Sequence, residues 1–178
     1  GAALAKIEAY AQDGDNGDAT KVPSVQDYAA AGVTGVDAAN LNATNAAVEA
    51  VDGVDADTVD EVQALANTGA ANAAVEAIEA YNNGTGTEPT AETYATAGVT
   101  GVTPENVAAV NAQVSAAETG GAATTALIQE LANTGAALAK IEAYAQDGDN
   151  GDATKVPSVQ DYAAAGVTGV DAANLNAT

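Results

Sequence analysis

The chain has no cysteine, histidine, arginine, methionine, tryptophan or phenylalanine. Each absence removes a class of chemistry. Without cysteine or histidine, no thiol site or familiar catalytic triad can be assembled. With lysine as the only basic side chain, no guanidinium is available to clamp a phosphate. Paired carboxylates remain, but they fall in turns and not in an apolar pocket that would raise a pKa. The expectation is a protein without enzymatic activity. Basic residues are nearly absent: Lys plus Arg total 4 against 25 Asp plus Glu, a net charge of −21. That balance argues against nucleic acid and anionic lipid as partners. No apolar run approaches the ~20 residues of a membrane span, so no membrane insertion by this segment is expected. Lack of cysteine fits a cytosolic protein and a disulfide-free bacterial surface array equally well, so composition leaves the compartment open.

What is present is alanine, and a repeat. Alanine favours helix and lets helices approach closely, but it buries little area. The core of any one unit must therefore be thin, and stacking on neighbouring units is expected to supply the rest. Residues 1–44 recur without change as 135–178, a period of 134 residues. A weaker repeat lies inside it. Tyr28-Ala-Ala-Ala-Gly-Val-Thr-Gly-Val36 returns, with small changes, as Tyr94–Val102 and Tyr162–Val170. Pro23/Pro89, Asn40/Asn106, Asn45/Asn111 and Val48/Val114 keep the same spacing. Such periodicity marks a tandem array. The repeat units are read as 1–68, 69–134 and a partial 135–178, a window cut from a longer array.

Each unit reads as three helices, making the fold class all-α. Ser24 caps a short helix over 24–31, with Asp27 as its capping-box partner, and Thr90 takes the same place in the second unit. Gly32, Gly98 and Gly166 sit where a left-handed helix stop needs a residue without a Cβ. Val33, Val99 and Val167 follow them and should fold back on the last turn. Asp37 or Thr103 starts a second helix, with Pro104 at its first position and a seam of Leu41, Asn45, Val48 and Val51. Asp57 caps a third helix, with Asp60 three residues on. That helix is expected to continue through Asn67-Thr68-Gly69, since a lone glycine costs only about 1 kcal/mol. The same holds at Gly135, and both glycines would permit close helix contact. Tyr10 lies nearer to Gly1 than Tyr81 does to Gly69. Either the second helix is a turn longer or Ile78 takes the place of Tyr10.

The sharpest candidate for a ligand is the loop Asp13-Gly-Asp-Asn-Gly-Asp18, repeated at 147–152. Asp13, Asp15 and Asp18, and again Asp147, Asp149 and Asp152, could offer hard oxygen ligands to Ca²⁺. The spacing is not that of an EF-hand, and the corresponding loop 82–88 carries one acid. The competing reading is a turn closed by its own side-chain hydrogen bonds. A second acidic group, Asp52, Asp55, Asp57 and Asp60, reads as helix-start acids. Asn45 and Asn111 on an apolar seam read as buried amides that fix register. The six tyrosines read as partial core, with hydroxyls reaching solvent or backbone.

The run Ile-x-Ala-Tyr … Pro-[Ser/Thr]-x-x-x-Tyr-x-x-Ala-Gly-Val-Thr-Gly-Val-x-x-x-Asn-[Leu/Val] … Glu-Val-Gln-Ala-Leu resembles the helical tandem repeats of very large bacterial cell-surface, adhesin-like proteins. The resemblance covers essentially the whole chain, and it implies secretion and a surface location. The Ala-Gly-Val-Thr stretch and Glu61-Val-Gln-Ala-Leu65 are also similar to three-helix GA-type surface modules, which bind serum albumin. This chain lacks their Lys-rich middle. The resulting expectation is a stalk, spacer or fibre body built as a rod of three-helix units joined by long shared helices. Its partners are neighbouring units of the same chain and other copies of the chain laterally, with the ligand at any tip left unnamed. The alternatives are a three-helix binding module for a host protein or Ca²⁺, and the subunit of an extracellular filament.

Overall fold

The computed structural model describes residues 1–175; the last residues of the third repeat unit, 176–178, lie outside the described part. Among the described residues there are eight α-helices and no strand. They are α1 (Ala2–Asp13), α2 (Val25–Ala31), α3 (Leu41–Glu49), α4 (Val59–Asn82), α5 (Ala91–Thr96), α6 (Val107–Ala116), α7 (Thr125–Asp147) and α8 (Val159–Ala164). Two short 3₁₀ turns, Gly53–Asp55 and Ala153–Lys155, complete the described regular structure. The chain divides into two compact units, residues 1–74 and 75–178.

In the first unit α1 packs on α2, on α3 and on the Gly53–Asp55 turn. Its core is Ile7, Tyr10, Ala11, Tyr28, Val33, Val48, Ala56, Val62 and Ala66. Full burial of a Val or Ile side chain is worth about 1.5–3 kcal/mol, so these few side chains carry most of the apolar stabilisation. Ser24 caps α2 in a reciprocal capping box with Asp27, as its sequence signature predicts. Gly32 ends α2 at φ 94°, and the Val33 N–H donates back to Tyr28 O at 2.9 Å. In the second unit Thr90 caps α5 with Thr93, and the Val99 N–H donates to Tyr94 O at 2.9 Å. The strongest packing there is α6 on α7 and α7 on α8.

Both Asn-Thr-Gly sequences are helical. α4 runs unbroken through Asn67-Thr68-Gly69, and α7 through Asn133-Thr134-Gly135. The threonine hydroxyls turn inward to the helix: Thr68 Oγ1 donates to Ala64 O at 3.0 Å and Thr134 Oγ1 to Glu130 O at 3.1 Å. The glycines are required for packing. A Cβ on Gly69 would strike Thr44 of α3, standing 2.6 Å from its backbone nitrogen. A Cβ on Gly135 would stand 2.6 Å from Val110 Cα of α6. The extra turn between Gly69 and Tyr81 is helical. Ile78 is as fully buried as Ile7. Tyr81 acts electrostatically on Tyr94 as Tyr10 does on Tyr28. α4 then stops one residue after Tyr81, whereas α1 runs three past Tyr10.

Three expectations are corrected. The second helix of each unit starts at Leu41 and Val107, four residues after Asp37 and Thr103. Asp37 instead closes a turn: its Oδ1 accepts from the Ala39 and Asn40 N–H groups at 2.8 and 3.2 Å. The cap of α4 is Thr58, not Asp57. Thr58 Oγ1 accepts from the Glu61 N–H at 3.3 Å, and Glu61 Oε2 accepts from the Thr58 N–H at 3.0 Å. Val167 makes the same backbone return as Val33 and Val99, its N–H donating to Tyr162 O at 2.9 Å, but its side chain is 43% exposed against their 4% and 3%. The third correction concerns two of the six tyrosines, Tyr28 and Tyr94, which are more than partial core. Tyr28 and Tyr94 are completely buried, and their hydroxyls reach neither solvent nor backbone.

Candidate functional site

The candidate sites are the places where polar groups converge. The first is buried. Tyr28 of α2 and Asn45 of α3 meet in the core, and the Tyr28 hydroxyl donates to Asn45 Oδ1 at 2.6 Å. The Asn45 amide donates onward to Pro23 O at 3.0 Å. The second unit repeats the arrangement. Tyr94 donates to Asn111 Oδ1 at 2.6 Å, and Asn111 donates to Pro89 O at 2.9 Å and to Glu88 Oε1 at 3.2 Å. Burial, then the neighbouring Tyr10 and Asp27, push the Tyr28 hydroxyl far above its ordinary pKa. For Tyr94 the causes are burial, then Tyr81 and Glu88. Both phenols are therefore permanent donors, and each asparagine oxygen is their acceptor. This is a satisfied polar bolt through a thin core.

The link after α2 is held from outside. The Thr34 N–H donates to Gln63 Oε1 at 2.9 Å, and Gln63 Nε2 donates to Thr34 O at 3.0 Å. One side-chain amide thus pairs both backbone groups of one residue, as a neighbouring strand would. Gln129 does the same for Thr100, at 2.8 and 3.0 Å. The far end of each link is tied by Asn40 to Gly35 O at 2.7 Å, and by Asn106 to Gly101 O at 2.9 Å. These amides explain residues that recur without being apolar. Asn82 is a buried residue that sequence reasoning missed: its amide donates to Val114 O at 2.8 Å and Ala117 O at 3.1 Å. An asparagine at the end of a helix carries no signal that separates it from an ordinary stop.

The acidic loops form tight turns. The Gly17 N–H donates to Asp15 Oδ1 at 3.0 Å, and Asp18 Oδ1 accepts from the Thr20 N–H and hydroxyl at 3.0 and 2.6 Å. The second copy does likewise, through Asp149 with Gly151 and Asp152 with Thr154. The Thr20 and Thr154 bonds draw Asp18 and Asp152 below the usual carboxylate range. Asp13 and Asp147 are the last residues of α1 and α7. Among the described residues, no three or more His, Cys, Asp or Glu side chains stand close enough to hold a metal ion. Each turn is closed by its own hydrogen bonds.

An open groove of about 610 Å³ runs between α7, α8 and the turn before α6. Ala136, Ala139, Ala143 and Ala164 line it together with Glu105, Lys140, Gln160 and Asp161. Lys140 is engaged with Asp161 at 2.8 Å. Burial would raise the Asp161 carboxyl, but Lys140 and Ser158 outweigh it and hold the pKa low. Glu105 is likewise held low by Thr103. Both carboxyls of the groove are thus held in the ionised form. No helix among the described residues is long and apolar enough to cross a membrane. Comparison with known proteins finds no match: no family model, no curated protein and no solved structure is similar to this chain.

Proposed function

We propose that the chain is a non-catalytic structural segment, the stalk, spacer or fibre body of a large extracellular bacterial surface protein that supports adhesion or biofilm. The observation that carries this reading is the uninterrupted α7. It spans the junction of two sequence repeats, with α6 packed against it at Gly135 and α8 tied to it where Lys140 pairs with Asp161. A helix that closes one repeat and opens the next passes its direction along the array. Tandem three-helix units joined in this way make an elongated rod. At 1.5 Å per residue, a helix of 23 residues is roughly 35 Å long. The net charge of −21 keeps such a rod solvated and separated from its neighbours. Tyr28, Asn45 and Gln63, like Tyr94, Asn111 and Gln129 in the second unit, each tie one element to another, which supports a spacer. Small-angle scattering on chains of one, two and three 134-residue periods tests the reading. The longest dimension should grow linearly with period number; a chain that stays compact as periods are added would sink it.

A further inference from the structure

The two units differ on one surface, where the start of α5 meets the start of α6. In the second unit an open groove of about 580 Å³ lies there, and Glu88, Pro89, Ala91, Glu92, Pro104 and Val107 are among the residues lining it. At the equivalent repeat positions the first unit has Val22, Pro23, Val25, Gln26, Ala38 and Leu41. Val22 and Leu41 pack there against the core. The second unit thus sets a glutamate in the place of a packing valine, and has alanine and valine where the first has Val25 and Leu41.

Packing does not ask for these differences, because each one gives up apolar burial. They supply charge and space instead. Asn111 Nδ2 donates to Glu88 Oε1 at 3.2 Å, which ties that carboxylate to the groove. Glu92 is exposed at the start of α5. Neither is paired with a lysine: the ion pairs among the described residues are Lys6–Asp27 and Lys140–Asp161. Apolar lining beside two unpaired carboxylates complements a side chain with an apolar stem and a cationic head. Arginine meets this best, because its planar guanidinium pairs with carboxylates through two parallel hydrogen bonds.

We infer that this groove binds an arginine side chain from a basic segment of a partner protein. The stem lies along Pro89, Pro104 and Val107, and the guanidinium reaches Glu88 and Glu92. This chain contains no arginine, so the occupant comes from a different protein. The inference goes beyond the spacer reading and stands without it. It gives the second unit a docking surface that the first unit has filled in.

The test titrates a blocked peptide of alternating leucine and arginine into the whole chain at physiological salt, followed by calorimetry. One peptide per chain is expected. The locating variant gives the second unit the residues of the first: Glu88→Val, Glu92→Gln and Val107→Leu together. It should weaken binding about tenfold or more, through lost charge-assisted hydrogen bonds. Glu92→Gln alone, at an exposed position that leaves the packing intact, should weaken it in the same direction. A control removes the same charge from the first unit, with Asp52→Asn and Asp55→Asn, and should leave binding unchanged. No binding at millimolar peptide overturns the proposal. So does equal weakening by the control, which would mean that the peptide follows net charge and not the groove.

Discussion

At the scale of single residues, the Tyr–Asn bolt is the costliest thing to disturb. Asn45→Leu would keep the seam apolar but leave the Tyr28 hydroxyl and the Pro23 carbonyl buried without partners. Each unsatisfied group costs about 1–3 kcal/mol, so the variant should lose at least about 2 kcal/mol in urea unfolding while keeping most of its helicity. The Ser24 cap makes a second prediction. The Asp27 carboxylate takes hydrogen bonds from Lys6 and from the Ser24 N–H and hydroxyl. Lys6 first, then Ser24, lowers its pKa to about 2. A carboxyl lowered on folding stabilises above its unfolded pKa, and loses that contribution as pH falls from the ordinary carboxylate range towards 2. The pair is partly exposed, so the effect is on the order of 1 kcal/mol after screening. Asp27→Asn should flatten the acid limb of the stability–pH curve in that window and leave neutral-pH helicity unchanged. The bolt itself was half legible. A lone Asn on a Val seam announces a buried amide, but its partner lies 17 residues away on another helix, where no local pattern points to it.

Among elements, the junction helices are governed by two glycines. Replacing an exposed mid-helix glycine with alanine ordinarily stabilises by about 1 kcal/mol. Here the sign reverses. The Cβ of Gly69→Ala would meet the α3 backbone at Thr44, which no rotamer change can relieve. A net loss of about 1–3 kcal/mol is expected, as in other overpacked cores, measured by thermal unfolding; a stabilised variant would mean that α3 and α4 do not touch there. The continuity of these helices was legible because a single glycine flanked by good helix formers rarely ends one. The start of α4 was not. Asp57-Thr58-Val-Asp60-Glu61 contains two overlapping capping boxes, and nothing local separates them. The start of α3 was hidden for a related reason. Asp37 and Asn40 satisfy backbone groups within the turn, and this competes with helix until Leu41.

For the whole molecule, charge outweighs every local ion pair. With 25 acids and 4 lysines, the folded chain repels itself, and screening should relieve it within a Debye length of about 10 Å at 0.1 M salt. The midpoint of thermal unfolding should therefore rise between low salt and 0.1 M NaCl; a fall would mean that the ion pairs dominate. The all-α class was legible from alanine content, caps and helical spacing together. The division of burial between identical copies was not, since identical residues carry no record of what covers them. The lysines also set where a protease can cut. Lys6 and Lys140 lie inside helices and are bound to aspartates. Lys21 and Lys155 stand exposed beyond the acidic turns. Cleavage favours exposed loops, so trypsin should cut the native chain first after these two. The fragment it releases, residues 22–155, has the length of one complete 134-residue period, cut at equivalent points in successive copies. The protein carries its own unit of length between two cleavable bonds, and a mass spectrum of a brief digest should read it directly.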